Sequence, residues 1–148
     1  MKEASWIECL ESNSAVQVSP DKERAKSLIE TAEERVNQIK EIHEKNCNFV
    51  FEDYYTSLLE QLQAVVALKG YKIVNHVCLG FYVRDVLKRE DLYVIFDDIR
   101  YKRNSLTYYG KRMNFETAMV AIKRTITLID SIKEEIKKVV PSWASSKN

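Results

Sequence analysis

The stretch of this chain that looks like more than packing runs through Arg100 to Arg112, RYKRNSLTYYGKR. Arg100, Lys102, Arg103, Lys111 and Arg112 are interleaved there with Tyr101, Tyr108 and Tyr109. Guanidinium groups grip phosphate through paired hydrogen bonds and tyrosine rings stack on bases, so this mixture suits contact with RNA. The same residues also fit a plainer arrangement: a helix C-terminus whose dipole favours cations, with tyrosines packed at the end of a helical bundle. Composition alone favours the plainer one.

Elsewhere the chemical options are few. His43 falls in a charged stretch and reads as solvent-exposed. His76 falls in an apolar segment, where a hydrogen-bonded core or interface histidine is the first expectation. Nothing resembles a serine–histidine–aspartate set, a phosphate-binding glycine loop or a HExxH pair. Asp97 and Asp98 are helix neighbours pointing about 100° apart, so they do not chelate one ion together. No metal or other cofactor is expected. Cys9, Cys47 and Cys78 form an odd, scattered set without a CxxC, which reads as reduced thiols in a cytoplasmic protein.

The chain of 148 residues suits one domain with a full core. Lys plus Arg number 23 against 22 acidic residues, so no whole-protein field draws in nucleic acid and any such binding must come from a local patch. Only three glycines and two prolines occur, too few for the turns of an all-β fold. No apolar run approaches the roughly 18 residues that span a membrane. The opening MKEASWIECLESN is too acidic and too broken for a signal peptide.

The elements that must position the basic run read as an all-α fold, an antiparallel up-and-down bundle of four to five helices. Residues 1–18 form an arm pinned by Trp6, residues 19–140 the bundle and residues 141–148 a polar tail. Ser19-Pro20-Asp21 starts a helix, with Ser19 as cap and Pro20 in the first turn, that runs to about Lys45. A second helix, near Phe49 to Lys69, ends at Gly70 as a left-handed cap. The third segment, Tyr71 to Lys88, is apolar nearly all round, so it is central or covered by a second subunit. Asp91 caps the fourth helix. Asn114 caps a long fifth, which Pro141 stops. On the fourth helix Leu92, Ile95, Phe96, Ile99 and Leu106 share one side, and Arg103 falls inside that stripe. A cation there must snorkel to the edge or meet a partner, because an unpaired buried charge is costly. Asp97, Tyr101, Asn104 and Tyr108 form a second line at helical spacing.

From Asn75 to Ile132 the chain resembles HEPN domains. That family is marked by an arginine, usually followed by asparagine or another polar residue, and a histidine four to six residues on, near the end of a helix and before a long last helix. Arg103-Asn104-Ser105-Leu106-Thr107 carries the first part, followed by Tyr108-Tyr109-Gly110 and the helix from Asn114. The layout looks like that of small archaeal and bacterial members. The resemblance implies a homodimer with both motifs facing a cleft between subunits. It also implies a partner, a small nucleotidyltransferase in a toxin–antitoxin-type pair. In active members the motif is a metal-independent endoribonuclease site: Arg103 would hold the scissile phosphate, Asn104 would support it, and a histidine would assist attack by the ribose 2′-hydroxyl. Here Tyr108 stands at the histidine position. A phenol of ordinary pKa near 10 is a poor general base at neutral pH, and such help is worth about 10² to 10⁴ in rate. Gly110 stands where some toxins of the family carry a modifiable tyrosine.

The expected function is therefore RNA or nucleotide binding by a homodimer, catalytically weak or inactive, with Arg103, Asn104 and Tyr108 at its centre. Arg100, Lys102, Lys111 and Arg112 would be further phosphate contacts. Two alternatives stand beside it: an active endoribonuclease in which Tyr108 or His76 supplies the missing role, and a helical interaction module without nucleic-acid function.

Overall fold

The 23 residues from Cys47 to Lys69 form the helix on which the other elements are laid. The structure is a computed structural model describing residues 2–145, with side chains through Trp143. Its elements are α1 (Trp6–Glu11), β1 (Ala15–Gln17), α2 (Lys22–Asn37), α3 (Cys47–Lys69), β2 (Tyr71–Ile73), α4 (His76–Phe81), a π-helical turn (Tyr82–Val86), α5 (Glu90–Tyr109), α6 (Phe115–Val139) and a 3-10 turn (Pro141–Ser145). The fold is mainly helical, as the scarcity of glycine and proline predicts, with one small antiparallel sheet in addition.

α3 buries Phe51, Tyr55, Leu58, Leu62 and Val65 and packs chiefly against α2 and α6. It ends at Gly70, whose φ of 84° is the left-handed cap that the sequence predicts. A Cβ at Gly70 would lie 2.8 Å from the Val18 carbonyl oxygen, so the arm passes too closely for a side chain. α6 begins where Asn114 Oδ1 accepts the Thr117 amide at 2.8 Å, and turns Ile122, Ile129, Ile132 and Ile136 inward. α5 packs on α6 and α4, with Leu92, Phe96 and Ile99 buried from the predicted stripe.

Several expected boundaries move. α2 is capped by Asp21 rather than Ser19, its side chain accepting the Arg24 amide at 2.9 Å. It stops at Asn37, not Lys45. Asn46 holds the next stretch out of helix, since Oδ1 accepts the His43 amide at 2.7 Å and Nδ2 donates to the Glu41 carbonyl at 2.9 Å. α5 begins one residue before Asp91, which is engaged instead by the Arg89 guanidinium. The expected third helix is three pieces: β2, α4 and the π-helical turn. Tyr71–Ile73 pairs with Ala15–Gln17, and Asn75 restarts the helix by accepting the Cys78 amide at 2.8 Å.

The cover for that apolar segment is the chain's own N-terminal arm. Trp6 is buried edge-on against Tyr71 and Tyr82, each ring centroid 5.2 Å away, and its backbone amide donates to Asp85 at 2.9 Å. Cys9 of α1 and Cys78 of α4 form a disulfide across 69 residues of sequence, which corrects the expectation of reduced thiols. Docking of the arm brings together two cysteines that spacing alone leaves unrelated. The thiol argument for a cytoplasmic setting goes with it. Cys47 is free and buried. At the other end Trp143 packs, half-buried, against the core, so the tail begins as part of the body. Residues 146–148 lie outside the described residues.

Candidate nucleic-acid interface

α5 carries the site because its inward stripe continues past Ile99 into a cation. Arg103 is half-buried, with its guanidinium carbon 5.6 Å from the Tyr55 ring centroid and 5.9 Å from that of Tyr108. Its hydrogen bond, a long one of 3.5 Å, goes to Asn104 Oδ1. Among the described residues no carboxylate lies within ion-pair reach of it. Arg103 thus resolves its place in the stripe by stacking on aromatic faces rather than by pairing.

The neighbouring cations are engaged. Arg100 donates to Asp97 at 2.8 Å. Lys102 contacts Asp98 at 2.7 Å, and the same carboxylate takes Arg124 of α6 at 2.9 Å. Asp97 and Asp98 therefore serve separate cations, as helix geometry requires. Lys111 and Arg112 lie exposed beyond the Gly110 cap. Their loop is fixed from behind by Asn48, which donates to the Met113 carbonyl at 3.0 Å and accepts the Met113 amide at 2.9 Å. Tyr108 is 68% exposed, and Tyr101 and Tyr109 are exposed with it. The basic run thus divides into an arginine stacked on rings, two neutralised cations and two exposed ones on a pinned loop.

Two residues join the site from other elements. Tyr55 of α3 is buried, stacked on Phe96 at an interplanar angle of 10°, and its hydroxyl lies 3.2 Å from His76 Nδ1. Burial pushes the Tyr55 phenol well above its ordinary range, against the pull of Arg103 and Arg100. Burial holds the His76 imidazole below its ordinary value, and the charges of Arg103 and Arg100 add to that. His76 is therefore neutral near pH 7. The tautomer sets the direction of their bond: the phenol donates to Nδ1 when the ring proton is on Nε2 and accepts from Nδ1–H when it is not.

His76 meets its expectation as a hydrogen-bonded histidine, and it also lies within electrostatic reach of the predicted arginine, with Tyr55 in contact with both. Sequence reasoning places Tyr55 only on the inward face of its helix and Asn48 only in a turn. For Tyr55 the one available signal is a polar-tipped ring within an apolar face. A cleft of about 670 Å³ lies elsewhere, between the end of α2 and the start of α3, lined by Arg35, Lys40, His43, Phe49 and Asp53 among others. None of the predicted site residues lines it. Among the described residues no helix is long and apolar enough to cross a membrane.

The arrangement offers a recessed cation between two tyrosines, with a neutral imidazole alongside and further cations on one rim. Chemically it can bind a phosphate at Arg103, stack a base on Tyr108 and exchange a proton at His76. No protein-family model matches the chain, nor does any curated protein or solved structure.

Proposed function

We propose that this chain is a HEPN-like RNA- or nucleotide-binding protein that works as a homodimer, with Arg103 as its phosphate anchor and with catalysis weak or absent. The observation that carries this reading is a half-buried arginine with no carboxylate within ion-pair reach among the described residues, flanked by two tyrosine rings. A structural arginine at such depth ordinarily finds a carboxylate. One left without it has its bidentate donors free for a phosphate, and the exposed Tyr108 beside it offers a stacking face for a base. The weak catalysis follows from Tyr108 standing at the motif's histidine position.

An up-and-down bundle and self-association belong to the same proposal. Val94, Tyr101 and Tyr108 stand seven residues apart, all exposed along α5, the spacing of a helix–helix seam. A second copy across that seam would set two Arg103 sites near each other. A small nucleotidyltransferase partner rests on the family resemblance alone.

The test is binding of short single-stranded RNA, followed by fluorescence anisotropy over a range of salt. Binding should weaken with salt, and Arg103→Ala should abolish most of it and lower the salt slope by roughly 0.7 for each phosphate it ceases to neutralise. Binding that Arg103→Ala leaves unchanged would refute the assignment.

A second reading, a working metal-independent endoribonuclease, is favoured by the Tyr55–His76 hydrogen bond next to Arg103. In that reading His76 assists the 2′-hydroxyl. Cleavage of a labelled RNA pool by the parent, lost in both Arg103→Ala and His76→Ala, would establish it. No cleavage by the parent with a gain in Tyr108→His would return the site to the first reading, as a HEPN centre switched off.

A further inference from the structure

We propose that the Cys9–Cys78 disulfide is a redox control on the Arg103 site, because breaking it loosens the turn of α4 that carries His76. The functional half of this inference rests on the RNA-binding reading. The mechanical half stands on the fold alone.

α4 and the π-helical turn that continues it without a break are together too short to hold a helix without their surroundings. The far end of α4 is wedged on α5, where a Cβ on Gly80 would lie 3.2 Å from the rings of Phe96 and Tyr93. Its first turn has three ties: the Asn75 cap on the Cys78 amide, the His76 contact with Tyr55 and the disulfide to Cys9. The cap is internal to the turn, and the other two hold it, together with the burial of Cys78 and Leu79 in the core and a Gln63 hydrogen bond to the Ile73 carbonyl just upstream. Both groups on the site side of His76, Tyr55 and Arg103, belong to the long helices α3 and α5 and stay where they are. Arg100, the other charge felt by His76, is also on α5. Cutting the disulfide therefore removes the covalent tie two residues from His76 and leaves the hydrogen bond to Tyr55 as the polar tie that orients the imidazole.

Besides the disulfide the arm is held by three residue pairs of sheet, by backbone bonds from the Val74 amide to Ser14 and from the Val18 amide to Gly70, by the burial of Trp6 and Ala15, and by the Trp6 amide and Ala4 carbonyl on Asp85 and Arg84. Both cysteines are fully buried, so a reductant reaches their sulfurs only when the arm lifts. The reductant is a dithiol, small or protein-borne. One of its thiolates attacks a sulfur of the pair, the S–S bond breaks, and the departing cysteine thiolate takes a proton. The second thiol then closes the reductant's own disulfide and releases the other cysteine. Two electrons pass to the protein, which ends with two thiols.

The experiment compares the full chain oxidised, reduced with dithiothreitol, and as Cys9→Ser/Cys78→Ser. The His76 ring resonances are titrated by NMR, and affinity for short single-stranded RNA is measured in each state. In the oxidised protein His76 should titrate below about 6.5. In the reduced and serine forms it should move up toward that value, and RNA affinity should fall about tenfold. Reoxidation should restore both in the parent. If the serine variant does not fold, the parent reduced in place gives the same comparison, with circular dichroism reporting whether it stays helical. His76 resonances that are the same in both redox states overturn the coupling, as does global unfolding on reduction. A shifted His76 with no RNA binding in either state upholds the mechanical coupling and refutes the binding reading instead.

Discussion

Arg103→Met should separate binding from folding. The guanidinium has two aromatic contacts, worth about 0.5–1 kcal/mol each at partly exposed sites. Its contact to Asn104 at 3.5 Å is too long to add much. Against these stands the partial dehydration of a cation with no anionic partner within reach among the described residues. Methionine keeps an unbranched, polarizable stem against Tyr55, so most of the packing survives. The opposing effects nearly cancel, and stability should change by no more than about 1 kcal/mol in either direction. A charge-assisted hydrogen bond to phosphate is worth roughly 1.5–3 kcal/mol, so RNA affinity should fall by about tenfold to a hundredfold or more. Urea unfolding gives the first quantity and anisotropy with a short RNA the second. Arg103→Lys should fall between parent and methionine in affinity, since it keeps the charge without the planar fork. A loss of stability above about 3 kcal/mol, the size seen when a needed buried partner is removed, would show the arginine to be structural and would sink the argument.

Other outcomes follow from the same structure. Asn48→Ala removes both bonds to the Met113 backbone and should cost about 2 kcal/mol, with faster hydrogen exchange at the amides of residues 111–113. Gly70→Ala places a Cβ 2.8 Å from a backbone oxygen at φ +84° and should destabilise by at least about 1–2 kcal/mol in chemical denaturation. His76 has a folded pKa below its unfolded one. The unfolded chain therefore binds the proton more readily, and stability should fall as pH drops below about 6.5. Denaturation midpoints at pH 7.5 and 5.5 should differ in that sense, and less so in His76→Gln.

The helices are legible where one element alone determines them. α3, α5 and α6 announce themselves by long inward stripes, and Gly70 and Asn114 by chemistry local to a turn. Arg103 is legible as an anomaly, a cation within an apolar face. The strands are not legible, because three residues show no periodicity and Tyr71–Ile73 becomes a strand only through a partner more than fifty positions away. Tyr55 and His76 each read as ordinary core residues, and their hydrogen bond exists only once α4 is laid on α3. Three cysteines allow three pairings, and spacing does not choose among them.

The free Cys47 has a consequence for how the chain must reach this state. Its sulfur is buried at the start of α3, beside the Glu44 carbonyl and the Asn48 amide, and so is shielded from exchange once the core has formed. Before that, Cys47 is nearer in sequence to both Cys9 and Cys78 than those two are to each other, and shorter loops close more readily. Oxidation of an unfolded chain would thus favour the two wrong bridges. The native one is favoured when the helical core assembles first, hides Cys47, and leaves the arm to dock last, or when exchange undoes the wrong bridges before the core closes.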